Sequence, residues 1–398
     1  MKKTIKQAVI LAGGLGTRLK PFTDKHPKPM YKFQNKPFIE YLILQIKDFG
    51  IDNVVLLLGY RADEIIEFFK NGEKYGIHIQ YSVTPEEYET GSRLLSAYDV
   101  LQKDFLLMYC DNYCPIDFEK LCDDYITKEA DIQITVYANK DGYTKNNLNV
   151  GTDGRIENYD KLRTASDLNG VDIGYALVKK SVLDYMKEYN EKILNFEKTV
   201  YPIVISYKKM YATITEHRYY SIGSWERIKL TEQFFHNSKT VFLDRDGTLN
   251  VRPPKACYIE KKEEFKWLEG AIEAVKYLKD KGYRLILITN QPGIARGRLT
   301  EDILAGIHDK MQADLLEKTG YMLDAIYYCP HNWDEGCACR KPKPGMLYQA
   351  QKEYSLNLRE CILIGDDERD IEAGNAAGCI CYQVTEKQSL LNIVQKNL

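Results

Sequence analysis

Continuous apolar runs of a few residues recur along the chain, each closing in glycine or polar residues. Ala8-Val9-Ile10-Leu11-Ala12, Phe105-Leu106-Leu107-Met108, Val241-Phe242-Leu243, Leu285-Ile286-Leu287-Ile288 and Ile362-Leu363-Ile364 are such runs. Unbroken hydrophobicity, rather than alternation, marks strands buried on both faces, as in a parallel sheet covered by helices. Helical patterns stand between the later runs, from Gly270 to Lys281 and from Thr300 to Thr319. The alternation predicts an α/β chain of two domains, each a mainly parallel Rossmann-like sheet flanked by helices. A polar stretch, Phe235-His236-Asn237-Ser238-Lys239, follows a helix-like segment and precedes an apolar strand. It sets the expected domains at 1–236 and 237–398.

Length and charge agree with this division and exclude other classes. A chain of 398 residues is long enough for two cores. A formal charge of -2 argues against a nucleic-acid partner. No uncharged apolar run reaches the roughly 18 residues needed to cross a membrane. The start Met1-Lys2-Lys3 is too short and polar for a signal peptide, because glycines break the run after Ala12. Ten cysteines without a secretory signal fit a reducing cytoplasm. Oligomeric state is left open, a homo-oligomer included.

Candidate chemistry is densest at Thr240-Val241-Phe242-Leu243-Asp244-Arg245-Asp246-Gly247-Thr248. An apolar strand ends there in carboxylates at i and i+2, which lie on one face: one can attack phosphorus while the other handles protons. A surface turn, or the start of a calcium loop, would use the same residues. The calcium reading fails at Thr248 and at Lys255, which stands where a bidentate Glu is needed. Tyr283 to Asn290 is a second strand, closing in Thr289 and Asn290, and Cys361 to Asp367 a third, closing in Asp366 and Asp367. Arg340-Lys341-Pro342 can bring a cation to the carboxyl ends of these strands. With these motifs the chain from about Thr240 onward resembles the haloacid-dehalogenase-superfamily phosphatases.

The resemblance implies Asp244 as nucleophile, Asp246 as general acid and base, and Thr289 and Lys341 as stabilisers of the transferring phosphoryl group. It implies Mg2+ held by Asp244, Asp246 through its backbone carbonyl, Asp366 and Asp367. Cys329-Pro330-His331 and Cys337-Ala338-Cys339 bring three thiols and an imidazole together, a set suited to tetrahedral Zn2+. Free buried thiols are the plainer alternative. The phrase Cys-Pro-His-Asn-Trp followed by Cys-x-Cys-Arg-Lys-Pro-Lys-Pro-Gly resembles the zinc-loop branch that removes the 7-phosphate of heptose 1,7-bisphosphate, in which Arg340 and Asn290 would bind substrate. Histidinol-phosphate phosphatases share that loop. Only 42 residues separate Asp246 from Thr289, too few for a large cap domain, so the fold expected here is capless. Specificity would fall to loops such as Arg252 to Tyr258 and the zinc loop.

Ala8 to Leu19 reads as a strand entering a glycine-rich loop, where backbone N–H groups can approach phosphate. It lacks both the P-loop ending and the dinucleotide spacing. Together with Pro27-Lys28-Pro29, where prolines hold a lysine in an extended segment, it resembles the signature of the sugar-1-phosphate nucleotidyltransferases. The resemblance implies a nucleoside triphosphate bound by Leu11, Gly13, Gly14, Gly16, Thr17, Arg18 and Lys28. Magnesium would sit at Asp111, and the sugar phosphate at Lys161, Asp172 and Gly174, with Glu89-Thr90-Gly91-Ser92 nearby. Asp172 replaces the family's Asn, and Ser221 stands where a second metal-binding Asp is usual.

A phosphatase that spares an anomeric phosphate makes the substrate of a sugar-1-phosphate nucleotidyltransferase. The expectation is therefore a bifunctional enzyme of nucleotide-sugar synthesis, acting on sugar phosphates with GTP as donor and releasing GDP-heptose. Two alternatives stand beside it. Ser221 allows a non-catalytic sensor or assembly role for the first domain, and the shared zinc loop allows histidinol phosphate as the phosphatase substrate.

Overall fold

Strands buried on both faces need helices on both sides, and the chain meets that need twice. The computed structural model describes residues 5–189, 193–236, 239–254 and 257–398. It divides into two compact units, Met1–Phe235 and His236–Leu398. Asn237 and Ser238 of the expected linker, Met1 to Lys3, and Lys255 and Ala256 of the expected specificity loop lie outside the described residues.

The first unit is built on seven strands: β1 Gln7–Ala12, β2 Asn53–Leu58, β3 His78–Val83, β4 Asp104–Tyr109, β5 Ile132–Tyr137, β6 Val171–Lys179 and β7 Met210–Thr215. Their order in the sheet is β7-β5-β6-β4-β1-β2-β3. β6 runs antiparallel to both its neighbours, while β1 is parallel to β2 and β4. Ala8, Ile10 and Ala12 face one core and Val9 and Leu11 the other, which explains the unbroken apolar run. In chain order β2 and β3 extend the sheet on one side of β1, and β4 then returns to its other side. The carboxyl ends of β1 and β4 therefore flank a crevice, where doubly wound sheets bind ligands.

The second unit holds β8 Thr240–Leu243, β9 Arg284–Asn290, β10 Ala325–Cys329, β11 Ile362–Gly365 and β12 Ile380–Gln383. The sheet order is β10-β9-β8-β11-β12, with every pairing parallel. Val241 and Leu243 pack on one face and Phe242 on the other. The predicted helices form as Ala271–Asp280 and Glu301–Thr319, the second capped by the Thr300 hydroxyl, which accepts from the Ile303 N–H. The short apolar segment Cys379-Ile380-Cys381 would suit a buried strand. It is instead the sheet's edge, with Ile380 48% exposed, because nothing pairs with its far side among the described residues.

Phe242 is fully buried in the central strand. Phe242→Ala is expected to destabilise the second unit by about 3–5 kcal/mol. A urea midpoint for loss of that unit's structure equal to that of the unsubstituted chain would show that the ring is not packed as described.

Candidate functional site

Two cavities lie at the carboxyl ends of the two sheets. In the second unit, a cavity of about 490 Å³ is lined by Asp244, Asp246, Thr289, Asn290, Arg340, Lys341 and Asp367 among others. The Lys341 ammonium, 3% exposed, sits 2.6 Å from Asp244 and 2.5 Å from Asp370, and also donates to the Ile288 carbonyl at 2.9 Å. Burial pushes the Asp244 carboxyl up, to about 7, and Asp370 and Asp246 add to this, while Lys341 opposes it. Burial works against the Lys341 charge, but the two carboxylates outweigh it and hold the ammonium protonated.

Asp246 is gripped from three sides: Arg245 donates at 2.9 Å, Gln291 at 3.0 Å and Asn250 at 3.0 Å. Burial raises its carboxyl, yet Arg245 and these donors hold it below the ordinary range. The Gln291 amide also donates to the Thr289 hydroxyl at 2.9 Å, tying the two predicted residues together. Arg245 in turn lies 3.4 Å from the His308 Nε2, whose ring burial pushes down to about 3, so that it stays neutral. Sequence reasoning missed Gln291, His308 and Asp370. Gln291 directly follows the Thr289-Asn290 strand end, whereas His308 and Asp370 reach the site only through the tertiary fold.

Two expectations change. Asp367 lines the cavity, but its side chain is otherwise engaged: it caps the helix Glu368–Ala377 and pairs with Arg369 at 2.8 Å and Arg252 at 3.1 Å. Asp370, from that helix's first turn, reaches inward to Lys341, and the carboxylates of Asp244, Asp366 and Asp370 converge within 4.8 Å of one another. Asn290 spends its carbonyl and an N–H on the Lys341 backbone, both at 3.0 Å, and so anchors the cation's loop. Gly247, at φ 99°, is required twice over, because a Cβ there would fall 1.8 Å from the Asp366 carboxylate. Burial raises the Asp366 carboxyl to about 6 against the pull of Arg252. Crowded, partly neutralised carboxylates of this kind fit a hard divalent cation.

Beyond β10, Cys329, His331, Cys337 and Cys339 converge within 4.8 Å. The Cys329 and Cys337 sulfurs are 3.6 Å apart, and His331 Nδ1 lies 3.6 Å from Cys329 Sγ and 3.3 Å from Cys339 Sγ. Edges of a tetrahedron with bonds of about 2.0–2.3 Å have roughly these lengths, so the donor set fits a closed four-ligand metal centre. Arg340 follows directly, donating to the His331 carbonyl at 3.3 Å while lining the cavity.

In the first unit a cavity of about 400 Å³ is lined by Leu11, Gly13, Gly14, Gly16, Thr17, Arg18, Lys28 and Asp111, together with Glu89 and Thr90. Lys28 pairs with Asp111 at 2.9 Å, and with Arg18 it holds that carboxyl low against its burial. Lys28 opens a short 3₁₀ turn rather than lying in an extended segment, because only Pro27 before it is extended. Lys161, Asp172 and Gly174 stand outside this lining. Lys161 approaches Glu197 at 3.9 Å, and Glu197 accepts from the Thr90 hydroxyl. Gly174, at φ 79°, packs on Tyr109 of the cavity wall. Ser221 pairs with Asn112 just after Asp111, and its hydroxyl accepts from the Gly223 N–H at 2.9 Å.

Fold and sites together define a two-domain enzyme of phosphoryl chemistry. The nucleotidyl transferase family model matches residues 7–237, and the haloacid dehalogenase-like hydrolase model matches residues 176–378, beginning within the first unit. The chain belongs to both families. D-glycero-beta-D-manno-heptose-1,7-bisphosphate 7-phosphatase of Helicobacter pylori J99 is 44% identical over 137 residues, which are 34% of this chain and 77% of the relative. D-glycero-alpha-D-manno-heptose-1,7-bisphosphate 7-phosphatase of Photorhabdus laumondii is 43% identical over 151 residues, covering 36% of this chain and 80% of the relative. The inositol-1-phosphate CTP transferase of T. maritima shares the first unit's fold at 16% identity and a TM-score of 0.50, covering 57% of this chain and 93% of that one. Among the described residues no helix is long and apolar enough to cross a membrane.

Burial raises the Asp172 carboxyl to about 6. Stability from its neutral form is complete below the unfolded pKa and is lost as pH rises through about 6. Asp172→Asn keeps the acceptor for the Gly174 N–H and removes that loss, a gain of about 3 kcal/mol above neutrality. The Tm gain is expected to be larger near pH 7.5 than near pH 5, and equal gains at both would exclude Asp172 as its source.

Proposed function

We propose that the chain catalyses two consecutive steps of nucleotide-sugar synthesis. The second unit removes the 7-phosphate of D-glycero-D-manno-heptose 1,7-bisphosphate, and the first couples the resulting heptose 1-phosphate to GTP, releasing pyrophosphate. The observation that carries the reading is the Lys341 ammonium between Asp244 and Asp370, beside Thr289 and Asp246. The named relatives supply the substrate, and the expected pairing of reactions supplies the order.

In the first half-reaction an Asp244 oxygen attacks phosphorus, the bond to the sugar oxygen breaks, and Asp246 delivers a proton to that oxygen. In the second, Asp246 takes a proton from water, which attacks the aspartyl phosphate and frees inorganic phosphate and Asp244. Arg245 favours ionised Asp246, so the water-activating step suits the resting site, and proton delivery requires that grip to loosen. Thr289 and Lys341 face the transferring group, and Lys341 exchanges one of its carboxylate contacts for a phosphoryl oxygen. Magnesium held by Asp244, Asp366 and the Asp246 carbonyl would offset repulsion between carboxylate and phosphate. Zinc at Cys329, His331, Cys337 and Cys339 would fix the loop that presents Arg340 to the retained phosphate.

In the first unit the sugar phosphate oxygen attacks the α-phosphorus and expels pyrophosphate, with Gly13 to Arg18 and Lys28 holding the polyphosphate and Lys161 the nucleophile. GTP is assigned as the donor that the resemblance to the sugar-1-phosphate nucleotidyltransferases implies for a heptose phosphate. The Ser221 hydroxyl, engaged with the Gly223 N–H, favours the second reading, a first unit that binds without turnover. Heptose 1-phosphate and a panel of nucleoside triphosphates decide between them: GTP-dependent pyrophosphate release is expected, and release no greater than the blank would sink the two-step proposal.

Asp244→Asn is expected to reduce phosphate release by about three orders of magnitude or more while leaving pyrophosphate release within about twofold. Equal loss of both would contradict separate sites. Purified protein is expected to carry about one zinc per chain, and Cys337→Ser to lose most of it. Unchanged zinc content in that variant would remove Cys337 from the ligand set.

A further inference from the structure

Arg93 is 3% exposed, yet among the described residues no carboxylate hydrogen-bonds its guanidinium, although the charges of Glu86 and Glu87 act on it. It lies in the helix Thr90–Ser96 and lines the first unit's cavity. Its donors go to the Leu58 carbonyl at 2.8 Å, the Gly13 carbonyl at 3.0 Å, the Glu86 carbonyl at 3.1 Å and the Thr84 hydroxyl. Those acceptors belong to the turn after β1, the end of β2 and the segment after β3. A buried cation satisfied only by neutral oxygens is costly for stability alone.

The surrounding glycines are cut to this side chain. A Cβ on Gly13 would fall 2.3 Å from Arg93 Cζ, and one on Gly59 would fall 2.5 Å from its Nη1. Four hydrogen bonds hold the guanidinium, so it cannot give way as a free side-chain end would. The Gly13 carbonyl also accepts from the Tyr60 N–H at 3.3 Å, so it is pinned inward from two sides. In a trans peptide the carbonyl and the following N–H point in opposite directions. Pinning the Gly13 carbonyl toward Arg93 therefore aims the Gly14 N–H the other way, and Gly14 lines the cavity.

We propose that Arg93 is the positioning residue of the glycine-rich loop: it sets the Gly13-Gly14 peptide so that the loop's N–H groups meet a polyphosphate, and it lines that site with a positive charge. The inference rests on the reading that the first unit uses a nucleoside triphosphate. The sequence hid it because an arginine one residue beyond Gly91-Ser92 reads as an exposed helix position.

The test compares Arg93→Lys, Thr84→Val and Gly13→Ala in the full chain, using GTP and heptose 1-phosphate. Lysine cannot span the four acceptors, whereas Thr84→Val removes an anchor remote from the loop and leaves Gly13 untouched. Arg93→Lys and Gly13→Ala are each expected to raise KM for GTP about tenfold, the scale of a lost hydrogen bond to a charged group, with KM for heptose 1-phosphate within about twofold. Thr84→Val is expected to give a smaller rise in the same constant. Combining Gly13→Ala with Arg93→Ala removes the clash, so the double variant is expected to be no worse than Arg93→Ala alone. Phosphatase rates report on integrity of the second unit, and circular dichroism melting on that of the first. Unchanged KM for GTP in a folded Arg93→Lys chain, or additive defects in the double variant, would overturn the inference. Absence of GTP turnover in the unsubstituted chain would instead overturn the nucleotidyl-transfer reading itself.

Discussion

Each unit gathers carboxylates at the carboxyl ends of buried strands, and in each a lysine ammonium makes that arrangement tenable. Lys341 lies between Asp244 and Asp370, and Lys28 lies against Asp111. Burial alone pushes such carboxyls toward neutrality, and a neutral acid can neither attack phosphorus nor hold a metal. The pairs therefore do more for chemistry than for stability, because a buried ion pair contributes little net stability while loss of one partner costs about 3–5 kcal/mol. The glycines follow from the same crowding. Gly247 leaves room for the Asp366 carboxylate and Gly365 for that of Asp370.

How legible this was depended on whether a residue acts through its own strand or through another element. Asp244, Asp246, Thr289 and Asp366 follow directly from apolar runs ending in polar groups, and the sheet order places those ends side by side. The zinc-type cluster was legible from spacing, since Cys329 to Cys339 is short enough for local geometry to bring the four side chains together. Asp367 shows a side chain with a second use that the sequence did not signal: it caps the helix that begins at Glu368. Asp370 reaches inward one turn later on that helix, a displacement visible only once the helix start is fixed. His308 and Arg93 were illegible for a related reason: both lie on helices, where a polar residue reads as solvent-facing until the packing partner is known.

The charge balance differs between the two sites, and this bears on Ser221. Around Asp244 the acids Asp246, Asp366, Asp367 and Asp370 face Arg245, Arg252, Lys341 and Arg369 in a nearly matched set. Such a site draws its reactivity from an added cation. Around Asp111, by contrast, Arg18, Lys28 and Arg93 outnumber the nearby acids, Asp111 and Glu89, among the described lining residues. A second carboxylate at position 221 would pull that balance toward neutrality. A nucleoside triphosphate brings its own anionic oxygens to magnesium, which commonly needs only one or two protein carboxylates. With a nucleoside triphosphate bound as proposed, a neutral Ser221 would leave more positive potential for the polyphosphate, and the metal would be shared between Asp111 and the substrate rather than held by a protein cage. The absence of a carboxylate at position 221 would then strengthen the field that the polyphosphate meets.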